Sequence, residues 1–193
     1  MKTDIILAGV GGQGILSIAS ILGAAALAEN LYLKQAETHG MSQRGGAVVS
    51  HLRISDKPIA SDLIPKGSAE IILSVEPMEA LRYLPFLAPE GYVVTNTTPV
   101  LNVPNYPDIE AVLNEVKRQA CFVAIDADKV AAEIGNKRAS NVVMLGAATP
   151  FIQISPEKIE TGIDLIFRNK GEEVVELNKK AFRAGLEFAL QNR

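Results

Sequence analysis

The chain has 193 residues, 48% hydrophobic and 21% charged, with a formal net charge of −3. That length supports one sizeable domain with a buried core. The balance lacks the clustered Lys and Arg of a nucleic-acid footprint, and with aromatics at 5% and no Trp, base-stacking platforms are excluded too.

"TDIILAGV" (3–10) is a short apolar run bounded by glycine, as expected of a parallel strand buried on both faces. It contains Asp4 and leads into glycines that interrupt the apolar stretch from Ile5 to Ala28. The segment is therefore read as strand, turn and helix rather than a secretory leader ending at "ALAEN", and the protein as cytoplasmic. "GGQGILSIASILGAAALAEN" is helical, with Ser17, Ser20, Gly23 and Ala24 expected to form a slim side against a sheet. "LYLKQA" is a second strand, giving the opening of a doubly wound α/β domain.

"AVVSHLRIS" (47–55) alternates as a strand, and the turn chemistry of "DKPIASDLIP" predicts an antiparallel excursion there. "AEIILSVEP" and "GYVVTNT" are strands separated by a helix-like "MEALRYLPFLAPE". "DIEAVLNEVKRQ" is a helix capped by Asp108, "ACFVAIDA" a strand, and "DADKVAAEIG" a short helix stopped by Gly135. The remainder is helical: "NKRASNVVMLGAATPFIQI", then "PEKIETGIDLIFRNK" opening on Pro156, then "EEVVELNKKAFRAGLEFALQN" with Val175, Phe182, Leu186 and Ala189 on one face. No repeat or linker divides the chain, so residues 1–193 are expected to form one Rossmann-like α/β domain. Its sheet should be doubly wound and mostly parallel, with a helical C-terminal part.

The lone cysteine, Cys121, excludes an internal disulfide and a cluster held on this chain's thiolates. With only His39 and His51 as histidines, a conventional His/Cys zinc site is excluded as well. Gly9, Gly11 and Gly14 match the G-x-G-x-x-G spacing, which permits a tight turn, close approach of backbone to a phosphate, and helix–strand packing. The same glycines also suit a sharp turn that binds nothing. An NAD site calls for an acidic residue about twenty positions on, where Lys34 and Gln35 stand; Glu37 is the nearest acid.

"ETHGMSQRGG" (37–46) has neither a helical nor a strand period, yet concentrates Glu37, His39, Met41, Gln43 and Arg44 among Gly40, Gly45 and Gly46. With "GVGGQG" before it and "NVVMLGA" (141–147) after, it resembles the gamma-type subunit of 2-oxoacid:ferredoxin oxidoreductases. The separate short chain and "GNKRASNVVMLGA" lean toward the indolepyruvate-specific beta subunit.

The resemblance implies a cytoplasmic, anaerobic complex. An arylpyruvate would be decarboxylated to an arylacetyl-CoA, with reduction of ferredoxin. Thiamine diphosphate, Mg and 4Fe-4S clusters are expected on a large partner subunit, in a dimer of heterodimers. This chain would contact coenzyme A and have no turnover alone. On that reading Gly9, Gly11, Gly12, Gln13 and Gly14, with Arg44, Gly45 and Gly46, hold a phosphate of the cofactor. Glu37, His39, Gly40, Met41, Gln43, Asn141 and Met144 orient the loop, pack helices or meet the partner. Three other readings stay open: a pyruvate or other 2-oxoacid enzyme's gamma subunit, an independent NAD or flavin oxidoreductase, and a non-enzymatic interaction module.

Overall fold

A computed structural model describes residues 1–39, 45–102 and 105–192, with His39 described by its backbone alone. Among the described residues six strands form one sheet: β1 (Lys2–Val10), β2 (Tyr32–His39), β3 (Ala47–Ser55), β4 (Ala69–Ser74), β5 (Leu87–Asn96) and β6 (Phe122–Ile125), in the order β2-β3-β1-β4-β5-β6. Neighbours from β1 through β6 run parallel. β3 is antiparallel to both β1 and β2.

The helices are α1 (Ile15–Ala28), α2 (Pro77–Arg82), α3 (Ile109–Lys117), α4 (Ala127–Glu133), α5 (Ser140–Ala148), α6 (Pro156–Phe167) and α7 (Glu172–Asn192). β1 is buried on both faces. Ile5 and Leu7 join the main core under α1, α4, α5, α6 and α7, whereas Ile6 and Ala8 face a smaller cluster with Ile64 and Ile72. α2 and α3 cover that second side farther along, through Ala80 and Val116 against Val93. The expected mostly parallel, doubly wound α/β sheet with a helical C-terminal part is what the chain forms.

Three local expectations need correction. Residues 56–68 form no strand; the antiparallel strand is β3 itself, which pairs with β1 along its whole length. Leu87–Glu90, expected in a helix, open β5, and the ladder to β4 shifts register there. Gly91 permits the irregularity, because a Cβ on it would lie 2.8 Å from the Ala69 carbonyl oxygen. The supposed slim side of α1 faces the sheet only in part: Gly23 is buried beside Leu33 of β2, but Ser20 is exposed, and most of the face in the core is made by Ile15, Ile18, Ala19 and Leu22.

Small residues do their work between helices. Gly162 of α6 packs on α1, where a Cβ would meet the Ile21 carbonyl. Gly146 of α5 lies against the Phe182 carbonyl of α7, and Gly185 of α7 against the Val143 carbonyl of α5. Such backbone-to-backbone packing is open only to glycine.

Two charged groups sit inside the sheet. Asp4 (1% exposed) and Arg53 face each other across the β1–β3 ladder and form a bidentate pair, Nε to Oδ1 at 2.8 Å and Nη2 to Oδ2 at 2.9 Å. Arg53 Nη1 also donates to the Ser61 and Leu63 carbonyls, both at 3.1 Å, tying down the strandless connection. His51, expected to be structural, accepts the Ile64 N–H on Nδ1 at 3.0 Å and meets Phe86 edge-on. Burial holds its pKa below the usual histidine value.

Candidate functional site: the glycine turn

β1 feeds α1 through residues 11–14, and Gln13 makes the turn tight. Its N–H donates to the Val10 carbonyl at 3.1 Å, while its Oε1 accepts the Val10 N–H at 2.7 Å. Its Nε2 donates to the Val75 carbonyl at 3.0 Å, bridging the C-terminal ends of β1 and β4. The side chain expected to reach a phosphate is thus committed to the scaffold. Gly9 is required by this packing, since a Cβ there would lie 2.9 Å from Gln13 Oε1. Gly12 (φ 103°) and Gly14 (φ 80°) occupy the left-handed region that glycine alone adopts without strain.

Gly14 is the N-cap of α1, with no side-chain cap. Amides in the first turn of a helix lack intrahelical partners and, with the helix dipole, favour an anion. The turn is gripped from α5: Asn141 Nδ2 donates to the Gly14 carbonyl at 3.0 Å, and a Cβ on Gly14 would sit 2.5 Å from that nitrogen. Asn141 is 7% exposed. This contact joins two motifs separated by 126 residues of sequence, Gly14 with its turn and Asn141 with "NVVMLGA". Met144 is fully buried in the main core and packs helices. An Asn141→Ala variant is expected to lose about 1–2 kcal/mol from the missing hydrogen bond. Its largest rise in amide exchange should fall at residues 11–17; uniform destabilisation would contradict a local clamp.

One end of the loop is bonded to the same turn, and the other faces it across a cleft. Glu37 and His39 are not in the loop: both end β2, the edge strand, with Glu37 opposite Ser50 of β3. At the other end, Gly11 N donates to the Gly46 carbonyl at 2.9 Å and Gly45 N to the Gly11 carbonyl at 3.4 Å. Gly45 has φ 80°, and its carbonyl accepts a short hydrogen bond from Asn102 Nδ2. Gly11's amide is therefore spent within the protein, which removes it from the anticipated cradle. Gly40, Met41, Gln43 and Arg44 lie outside the described residues.

A cleft of about 290 Å³ opens between the turn and β2, with Gly11, Gly12, Gly14 and Leu16 on one wall and Glu37 and Val48 on the other. Sequence reading missed Asn102, which fixes Gly45, and Glu76 at the end of β4. Glu76 is 1% exposed, caps α2 through the Glu79 N–H at 2.9 Å, and accepts from the Tyr106 hydroxyl at 2.6 Å. A lone Asn or Glu in a connection carries no pattern that announces such contacts.

β3 lies between β1 and β2, unlike a dinucleotide fold in which the ribose-binding acid ends the strand beside β1. What remains is an α/β domain with a glycine turn clamped by a distant helix and a β2–β3 hairpin. The model of the pyruvate ferredoxin/flavodoxin oxidoreductase family matches residues 4–188, and the chain belongs to that family.

Among its relatives, the indolepyruvate oxidoreductase subunit IorB of Pyrococcus horikoshii is 39% identical over 96% of this chain and 95% of its own. The 2-oxoglutarate synthase subunit KorC of Methanocaldococcus jannaschii is 34% identical over 98% of this chain and 95% of its own. The crystal structure of a keto/oxoacid ferredoxin oxidoreductase gamma subunit from Geobacter sulfurreducens superposes with TM-score 0.69 at 25% identity, covering 98% of this chain and 99% of that one. The fold also recurs, at 23% identity and TM-score 0.80, in a 2-oxoglutarate:ferredoxin oxidoreductase of Magnetococcus marinus with coenzyme A bound. All of this chain matches there, spanning 32% of that longer chain.

Proposed function

We propose that this chain is the gamma-type subunit of a 2-oxoacid:ferredoxin oxidoreductase with an arylpyruvate, indolepyruvate, as substrate, and that its glycine turn helps hold coenzyme A. The observation that carries this reading is the joining of three motifs at one place: the turn, both ends of the 37–46 loop and Asn141. Near-full-length likeness to IorB subunits supports the choice of substrate.

The described residues fit part of the cofactor. The uncapped start of α1 offers amides to a phosphate, and Gly12 and Gly14 leave its approach open. At about 290 Å³ the cleft is at the lower bound of sites for drug-sized ligands, roughly 300–1,000 Å³, and has room for only part of a cofactor as long as coenzyme A. Coenzyme A would therefore be shared with a partner surface. Leu16, on the cleft wall and 51% exposed, and Leu101, 74% exposed and next to the Asn102 that holds Gly45, are apolar groups that such a surface would cover. Glu37 on the cleft wall suits a hydroxyl or amide of the ligand better than a phosphate.

Thiamine diphosphate with Mg, and 4Fe-4S clusters, would supply decarboxylation and electron transfer from the large partner subunit. Among the described residues, no group of three or more His, Cys, Asp or Glu is placed to hold a metal, and no helix is long and apolar enough to cross a membrane. A cytoplasmic dimer of heterodimers completes the reading.

The test is a substrate panel on the purified complex, following ferredoxin reduction with indolepyruvate, pyruvate and 2-oxoglutarate, with and without coenzyme A. Indolepyruvate should give the highest kcat/KM, and only with coenzyme A. Preference for pyruvate or 2-oxoglutarate would move the chain to another 2-oxoacid enzyme.

A further inference from the structure

The connection from β5 to α3 passes the carboxyl ends of β6 and β4 and is tied to both. At its start Thr97 N donates to the Ile125 carbonyl at 3.0 Å, and Thr98 Oγ1 to Asp126 Oδ1 at 3.2 Å. Farther on, Val100 N donates to Glu76 Oε1 at 3.3 Å, and the Tyr106 hydroxyl meets the same oxygen at 2.6 Å. Asn102 stands between these two ties. Its N–H donates to the Val100 carbonyl at 2.9 Å, closing a three-residue turn. Its Nδ2 then reaches the Gly45 carbonyl, 57 positions away in sequence.

Closing the β2–β3 hairpin does not need this contact, because the ladder already runs to His39 opposite Val48. What the ladder leaves free is the placement of the Gly45 end of the loop on the glycine turn, where Gly11 bonds Gly45 and Gly46. Gly45 admits Asn102 closely: a Cβ there would lie 3.0 Å from Nδ2. At the root, the Glu76 carboxylate is buried and also caps α2, so it is a fixed anchor. Burial, with the bond to Glu76, pushes the Tyr106 hydroxyl above its ordinary pKa and keeps it a donor. From this chain of contacts we infer that Asn102 is a positioning residue: anchored on Glu76 through Val100 and Tyr106, it braces the Gly45 end of the loop against the turn in the arrangement that binds ligand. The inference rests on the reading of turn and loop as a coenzyme A site. A loop without its brace samples other placements, and apparent affinity falls with the fraction of chains left in the binding arrangement. Once ligand is bound, turnover is the same.

Amide exchange at Gly11 and Gly45 in the isolated full chain reads the brace without any ligand. Asn102→Ala should raise it about fivefold, the weight of one hydrogen bond. Tyr106→Phe should raise it too, although that hydroxyl bonds Glu76 and neither glycine. An Asn102→Ala/Tyr106→Phe variant should add little to Asn102→Ala, since both act along one path. Asn105→Ala is the control: this exposed asparagine of the same connection makes no side-chain hydrogen bond among the described residues, and exchange should not change. In the purified complex, Asn102→Ala should raise KM for coenzyme A by a similar factor, with kcat within about twofold of wild type. Unchanged exchange in Asn102→Ala, full additivity in the double variant, or faster exchange with an unchanged KM would each overturn the positioning role. A wild-type complex whose turnover ignores coenzyme A would instead sink the coenzyme A reading, and the exchange measurements would still decide the brace.

Discussion

An Asp4→Ala variant is expected to lose about 3 kcal/mol of stability, the low end for breaking a buried ion pair, because the Arg53 cation left without its counter-charge is only partly screened by water. Asp4 is 1% exposed and Arg53 17% on its side chain, and the guanidinium is fixed by both carboxylate oxygens and two carbonyls. Urea unfolding of the isolated chain is the measurement. An Asp4→Leu/Arg53→Leu double variant separates charge from tether. Two packed aliphatic groups should restore much of the loss, but the Ser61 and Leu63 carbonyls would still lack their donor. Amide exchange at 56–64 should therefore stay fast in the double variant even where global stability recovers. Wild-type stability in Asp4→Ala would mean that the pair is not closed in solution.

Gly185→Ala is the second large effect. Ideal placement puts the new Cβ into van der Waals overlap with the Val143 carbonyl and 3.0 Å from Ala147 N. Neither backbone group can rotate away as a side chain would. α5 and α7 must separate, at a cost of about 3 kcal/mol, the upper range for overpacking a core. The consequence also reaches the site, because α5 carries Asn141. Widening the α5–α7 crossing should loosen the grip on Gly14 and weaken coenzyme A saturation of the complex as well as stability. A control at Gly135 (φ 87°), with nothing within 4 Å of its added Cβ, should cost only about 1–2 kcal/mol of backbone strain and leave coenzyme A dependence alone. Equal thermal losses in the two variants would count against the crossing as the cause.

Local pattern carried much of this fold into view, and long-range pairing did not. The apolar run of β1, the glycines after it and the cap at Asp108 follow from neighbours in sequence. That cap accepts a backbone N–H at 2.9 Å. The placement of β3 between β1 and β2 pairs residues as far apart in sequence as Lys2 and Ser55, and no period in "AVVSHLRIS" announces its partner. The same holds for Asp4 and Arg53, whose pairing depends on register.

At the site, the G-x-G-x-x-G spacing located the turn but misassigned Gln13. A polar side chain inside such a motif suggests a ligand contact, whereas here it closes hydrogen bonds to Val10 and Val75. Asn141 stood out only as part of a family motif, expected to pack helices, orient the loop or meet the partner; its grip on Gly14 needs the fold. The roles first given to Arg44 and Met41 stay proposals about the loop between Glu37 and Gly45.

The central claim, that this chain works as one subunit of a thiamine- and cluster-bearing oxidoreductase, is tested most directly by anaerobic affinity purification of the tagged chain from its native host, with a gel and a visible spectrum. The account predicts a co-purifying larger subunit and broad absorbance near ~400 nm from cysteine-ligated iron–sulfur clusters. A colourless chain purified alone, from cells expressing it at its native level, would contradict it.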